Sequence, residues 1–295
     1  MPRILSVFIR GQIRLLKPIY NKFSIETARA FQDTLGNLEA KSVASKVVFE
    51  PVDFERFKAC VVCPKENVGQ KNRVILYLHG GGYVAGNIEY ARGFAGVLAV
   101  QTNRHVLSAA YRLAPEHPFP AAVDDALEAY EFLLKNGYEA KDISLVGESA
   151  GGGLIFSLCQ VLKQKELPLP AALVGISPWT DLTFSGQSYK TNKKKDPTLS
   201  EKALRTYAAH YAPQQETNPL VSPVYGDLCG FPPSLLFAGE NELLLSDATM
   251  LADSLKRCGS QCELIVEKGL WHVYVLFKIA EAREALKRIA VFLET

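Results

Sequence analysis

A chain of 295 residues that is 48% hydrophobic and 22% charged can build one large α/β domain or two small ones, with the make-up of an ordinary globular protein. A formal net charge of +2 offers no electrostatic footprint for nucleic acid. Six scattered cysteines (Cys60, Cys63, Cys159, Cys229, Cys258 and Cys262) are too few for a disulfide framework and point to a reducing, cytoplasmic setting, and no apolar run is long enough for a transmembrane span.

In chain order, residues 1–44 read as helical and amphipathic, interrupted at Lys17-Pro18 and restarted at Ser24-Ile25-Glu26-Thr27. The first 20 residues are apolar but broken by Arg3, Arg10, Arg14 and Lys17, which suits a helix covering a pocket better than a signal peptide. A basic segment lying on a membrane surface is the rival reading. Strand-like runs follow at 46–50 and 57–63, with a polar turn at 65–72. Cys60-Val-Val-Cys63 has the spacing of a zinc or redox pair, but it lacks a second pair and sits inside a strand-like run, so alternation along a strand explains it. The run 73–78 is almost continuously apolar, as in a strand buried on both faces of a parallel sheet.

Strands and helices then alternate: helix 90–101, strand 105–109, helix 121–136, strand 143–146, a helix to about residue 164, and strand 171–176. After a gap come strand 234–238, helix 246–258, strand 263–267 and a last helix over 275–293. This pattern predicts a mostly parallel sheet with helices on both faces. Residues 181–222 break it, carrying Lys193-Lys194-Lys195 and a helix-like piece at 200–211. They read as an insertion above the sheet, with the lysines in a solvated loop.

Four stretches could carry chemistry. Gly147-Glu148-Ser149-Ala150-Gly151 lies between a strand and a helix, and its two glycines allow the sharp turn that presents a serine hydroxyl at a sheet edge. After strand 73–78 comes His79-Gly80-Gly81-Gly82-Tyr83, whose glycines leave backbone N–H groups free of side chains. Gly81 and Gly82, with Ala150, are the expected donors to an oxyanion, and His79 is expected to organise the loop. A serine needs a base. Among five histidines, His272 follows a late strand and so lies at the carboxyl edge of the sheet, where the serine is. Strand 234–238 leads at the same edge to Glu240 and Glu242, with Asp247 beyond. Composition does not choose which of them orients the imidazole.

Taken with Tyr111-Arg112-Leu113-Ala114-Pro115-Glu116 and Ser177-Pro178-Trp179, these motifs resemble the hormone-sensitive-lipase-like family of α/β-hydrolases, in particular its bacterial acetyl-esterase-type members. The likeness runs from about residue 74 to the end, and it agrees with the chain order Ser, Glu, His. It implies an α/β-hydrolase fold, with residues 1–45 as part of a helical cap and 46–295 as a core carrying a cap insertion at about 181–222. Many members have their acid in an Asp-Pro-Leu segment that this chain lacks. Placing Asp247 against the acidic residue five positions later selects Glu242, with Glu240 as the alternative.

The resemblance further implies a serine carboxylesterase acting on short acyl esters through an acyl-enzyme, with no metal or organic cofactor. Tyr83, Trp179, Phe184 and Tyr189 are expected pocket residues, though core packing accounts for each equally well. A lactone hydrolase, a deacetylase of a specific metabolite, and a non-catalytic small-molecule binder are the alternatives. A homodimer is a further expectation.

Overall fold

The computed structural model describes residues 4–20, 22–68 and 73–294, so parts of the N-terminal segment and of the polar turn expected at 65–72 lie outside the described residues. Among the described residues, eight strands form one sheet in the order β1-β2-β4-β3-β5-β6-β7-β8. β1 (Val47–Asp53) and β2 (Lys58–Pro64) form an antiparallel edge, and β2 pairs antiparallel with β4 (His105–Ala110). From β4 onward every pairing is parallel, through β3 (Val74–Leu78), β5 (Ile143–Glu148), β6 (Ala172–Ile176), β7 (Ser234–Gly239) and β8 (Cys262–Glu267). β3, β5, β6 and β7 are buried at every position, which is why the sequence shows them as unbroken apolar runs rather than alternating ones.

Such strands need cover on both faces, and two apolar cores result. One face packs against α4 (Ala121–Lys135), α5 (Ala150–Gln164) and α8 (Leu245–Arg257), through side chains such as Tyr130, Leu154 and Leu251. The other packs against α3 (Ile88–Thr102) and α9 (Ala280–Glu294), through Phe94, Leu98 and Ile289. In β2, Cys60 and Cys63 are three residues apart, so the strand's alternation points them to opposite faces and removes them as a ligand pair.

The N-terminal helices are α1 (Ile4–Tyr20) and α2 (Ile25–Val43). The break falls after Tyr20 rather than at Pro18, since a proline in the last turn disturbs little helix beyond itself. Ser24 caps α2, accepting from the Thr27 N–H at 3.2 Å. α2 is seated on α3 where Gly36 meets Gly93, and a Cβ on Gly36 would strike the backbone of Tyr90. Arg29 fastens the same helix to the rim, donating to the Val84 and Ala114 carbonyls and pairing with Glu116 at 2.7 Å. The outer side of α1 leaves Ile4, Phe8, Leu15 and Ile19 exposed.

Within 181–222 the helix expected at 200–211 is α7 (Glu201–Tyr211), capped by Ser200, and Lys193, Lys194 and Lys195 are exposed. A short helix that the sequence did not signal, α6 (Ser188–Thr191), precedes it. The C-terminal helix begins five residues later than expected, because Tyr274–Leu276 form a separate 3-10 turn. No helix among the described residues is long and apolar enough to cross a membrane.

Candidate active site

The carboxyl ends of β3, β5, β7 and β8 bring the four chemical stretches to one rim. At the end of β5 the chain reverses into α5 within a single residue. Ser149 sits there at φ 55°, ψ −120°, a conformation that costs a non-glycine residue about 1–3 kcal/mol and must be held by its surroundings. The restraints are visible. The Ser149 N–H donates to the Ile176 carbonyl at 2.9 Å, and its own carbonyl accepts from Trp179 N–H at 2.9 Å. A Cβ on Gly147 would run into the Gly151 carbonyl, and one on Gly151 would run into the carbonyls of Leu78 and His79. Those two glycines are therefore required by close backbone approach, as the motif suggested.

The Ser149 hydroxyl lies 3.0 Å from His272 Nε2. His272 comes from the loop after β8, and the next residue, Val273, is in the left-handed region at φ 50°. Its N–H donates to Ser177 Oγ at 2.9 Å, and Ser177 in turn donates to Glu242 Oε2 at 2.7 Å. Glu242 also accepts from the Gly239 N–H at 3.0 Å. Its Oε2 stands 3.9 Å from His272 Nδ1, beyond hydrogen-bond range. Among the described residues, Glu242 Oε1 and His272 Nδ1 are both buried without a hydrogen-bond partner. Burial lowers the imidazole from 6.5 to about 3, so the ring is neutral and Nε2 can take a proton from the hydroxyl. Burial likewise raises the Glu242 carboxyl well above the usual range, opposed by its two donors.

Of the other carboxylates left open by the sequence, Glu240 points away to the Gly269 N–H at 2.9 Å, at the surface. Asp247 Oδ1 accepts from the N–H groups of Thr180 and Asp181 and so braces a different loop.

The glycine loop lies beside the serine. It is closed by Val84 and Ala85 donating to the Gly81 carbonyl, which leaves Gly81 (φ 115°) and Gly82 (φ 64°) in conformations that side chains resist. Gly81 and Gly82 line the same cavity as Ser149, and Ala150, the first residue of α5, has an amide with no acceptor within the helix. His79 organises this loop as expected: its ring stacks on Tyr111 at 4.3 Å between centroids, and Nδ1 lies 2.7 Å from the Gly80 carbonyl.

Glu148 was not singled out by the sequence, though it stands beside the serine in the motif. It is buried beneath the loop and accepts from Gly80 N–H (2.6 Å), Tyr77 (2.6 Å) and Tyr90 (2.9 Å). Burial raises its carboxyl to about 7 against those three donors. Asn192 and Asp196 were also missed. Asn192 Nδ2 donates to the carbonyls of Glu240 and Glu242, and Asp196 accepts from the Leu243 N–H, so the insertion braces the acidic loop. Nothing local in the sequence marks either residue.

The cavity over Ser149 has a volume of about 210 Å³ and is lined by Gly80, Gly81, Gly82, His272, Leu204 and Tyr207, with Ala28 and Gln32 from α2. Gln32, Leu204 and Tyr207 also line a larger apolar cavity of about 430 Å³ that reaches Ile13 and Tyr20 of α1. The four expected pocket residues are elsewhere. Tyr83 stacks on Tyr211 at 3.8 Å and is buried with Trp179 and Tyr189 in the core. Phe184 lines a separate cavity beside Arg205. Tyr83, Trp179 and Tyr189 are packed in the core, and the open space over Ser149 is bounded by residues of α2 and α7 instead.

A strained serine at the end of a parallel strand, paired with an imidazole from the last loop, defines the α/β-hydrolase class of site. The family described as the alpha/beta hydrolase fold matches residues 75–276. An acetyl-hydrolase of Streptomyces hygroscopicus is 38% identical over 229 residues, 77% of each chain. An esterase of Acinetobacter venetianus is 35% identical over 224 residues, covering 75% of this chain and 74% of its own. The crystal structure of an esterase from the bacterial hormone-sensitive lipase family superposes with a TM-score of 0.89 at 34% identity, covering 99% of this chain and 98% of that one. The chain belongs to the α/β-hydrolase family, in its hormone-sensitive-lipase-like branch, and is a carboxylic ester hydrolase.

Proposed function

We propose that this protein hydrolyses short-chain acyl esters with Ser149 as nucleophile, His272 as general base and acid, and Glu242 as the carboxylate that supports the imidazolium. The observation that carries the reading is the 3.0 Å contact between Ser149 Oγ and His272 Nε2 at the floor of a cavity. As Ser149 Oγ attacks the ester carbonyl, its proton passes to His272 Nε2. The charge that develops on the carbonyl oxygen is met by the N–H groups of Gly81, Gly82 and Ala150. The C–O bond to the alcohol then breaks, and that alcohol leaves with the proton from His272. Water repeats the sequence on the acyl-enzyme and releases the acid and free Ser149. Every proton is accounted for by these residues and the attacking water: the alcohol leaves with the Ser149 proton, and a proton from water restores the serine hydroxyl through His272.

The small volume over Ser149 supports short acyl groups, and the name of the Streptomyces relative supports acetyl esters in particular. Residues 1–45 and 181–222 act as the cap over the core, a division supported by the cavity-lining side chains of α2 and α7. Six cysteines without a disulfide support a cytoplasmic setting.

A series of nitrophenyl esters of rising acyl length tests the assignment. The expected result is highest kcat/KM on the shortest acyl chains and a loss of about 10⁴-fold or more in kcat for Ser149→Ala, with its thermal midpoint close to that of the parent. Near-parental turnover by the folded variant would rule out Ser149 as the nucleophile.

A further inference from the structure

The loop entering β7 and the end of α8 meet at the edge of the sheet opposite Ser149. Asp227 and Cys229 come from the loop and Cys258 from the last turn of the helix, and their carboxylate oxygen and two sulfurs all lie within 4.8 Å of one another. Two features keep the thiols at the surface. Each cysteine is followed by a glycine in the left-handed region, Gly230 at φ 73° and Gly259 at φ 74°, and a Cβ on either glycine would meet only open space. The two sulfurs thus sit at adjacent turn apices, with Cys229 exposed and Cys258 half-buried. Asp227 is preset by accepting the Cys229 N–H at 3.0 Å, and Lys163 reaches the same place, donating to Asp227 at 2.8 Å and to the Cys229 carbonyl at 2.6 Å.

We infer that Asp227, Cys229 and Cys258 form a binding site for a soft divalent metal ion of the zinc class, with a solvent molecule completing a tetrahedral set. Donors this close can converge on one ion at metal–sulfur distances near 2.3 Å and metal–oxygen distances near 2.0 Å with side-chain adjustment alone. Two thiolates select a soft or borderline ion over magnesium or calcium. Their charge and that of the carboxylate are balanced by a divalent cation together with the Lys163 ammonium. The ion ties the segment leading into β7 to the end of α8, the strand–helix unit that carries Glu242 between them. It serves stability rather than the ester chemistry, since the site is at the far edge of the sheet. Binding releases the two thiol protons to solvent, so affinity rises with pH.

The test uses the reduced full-length protein titrated with Cd²⁺ and with Zn²⁺. The expected result is one equivalent of Cd²⁺ with a thiolate-to-metal charge-transfer band, and a thermal midpoint that rises with Zn²⁺. Cys229→Ser and Cys258→Ser each abolish the band, Asp227→Asn weakens binding by about tenfold or more, and Cys262→Ser binds as the parent does. All four positions lie outside the catalytic rim, so ester hydrolysis without added metal verifies that each variant is folded. No charge-transfer band in the reduced protein, a band that survives either Cys229→Ser or Cys258→Ser, or one that Cys262→Ser abolishes, would overturn the site. Formation of a Cys229–Cys258 disulfide in air with no metal binding before it would overturn it equally, by making the pair a redox element.

Discussion

The rim of strand ends and the helices above it are built by different means. At the rim, Ser149, Gly81 and Val273 hold backbone conformations with positive φ, fixed by buried hydrogen bonds and by glycines that admit no Cβ. Above it, α1 and α7 meet the core through side chains that line cavities, and α1 leaves a row of apolar residues in solvent. Tight backbone restraint suits groups that must be placed to within a fraction of an ångström for chemistry. Looser side-chain walls suit the choice among substrates, where a methylene group is worth only about 1–3 kcal/mol. Rim substitutions should therefore act on kcat, and cover substitutions on KM and chain-length preference.

The sharpest way to break that division is Glu242→Gln, which keeps the shape but not the charge. A fall in kcat of roughly 10³- to 10⁴-fold is expected with KM little altered, and steady-state kinetics beside Glu240→Gln, which should stay near the parent, checks it. Loss in the second variant alone would move the acid to Glu240. Gly81→Ala comes next. A side chain at φ 115° forces the loop to shift, and loss of one oxyanion donor predicts about 10²- to 10³-fold in kcat. Unchanged turnover in the folded variant would remove Gly81 from the donors.

Tyr207→Ala is milder, because its ring lies against Gly82 and walls the cavity, while the N–H group proposed to act at Gly82 belongs to the backbone and stays in place. Roughly tenfold changes in KM, with a shift toward longer acyl chains, are expected from the ester series. A uniform fall in kcat for every ester would place α7 within the catalytic machinery and erase the contrast. The smallest effect is a displacement rather than a loss. The base must be neutral to act, and His272 is lowered by burial, so neutral imidazole persists as pH falls below the ordinary 6.5. The acid limb of kcat/KM should accordingly lie below 6.5. A limb at or above that value would mean that the imidazolium is already stabilised in the free enzyme.

The same contrast explains what could be read without coordinates. β3, β5, β6 and β7 are legible because strands buried on both faces leave unbroken apolar runs, and the serine turn is legible because steric necessity writes glycine at fixed offsets. Glu148 was in plain view but ambiguous, since a carboxylate beside a serine says nothing about whether three donors surround it. Tyr83, Trp179, Phe184 and Tyr189 misled because an aromatic ring in a core and one in a pocket have the same signature in sequence. Asn192 and Asp196 depend on a fold-back of about 50 residues that no local pattern encodes.

The gap between Glu242 and His272 has a consequence for where binding energy goes. In the resting enzyme a buried carboxylate oxygen and a buried ring nitrogen are each left wanting a partner, a deficit of about 1–3 kcal/mol apiece. In the proposed mechanism the ring gains a proton from Ser149, its second N–H then carries positive charge toward the Glu242 carboxyl, and a modest swing closes the 3.9 Å that separates Nδ1 from Oε2. On those proposed roles the enzyme would gain at the height of the reaction a bond that it does without at rest, lowering the barrier without tightening its hold on the substrate.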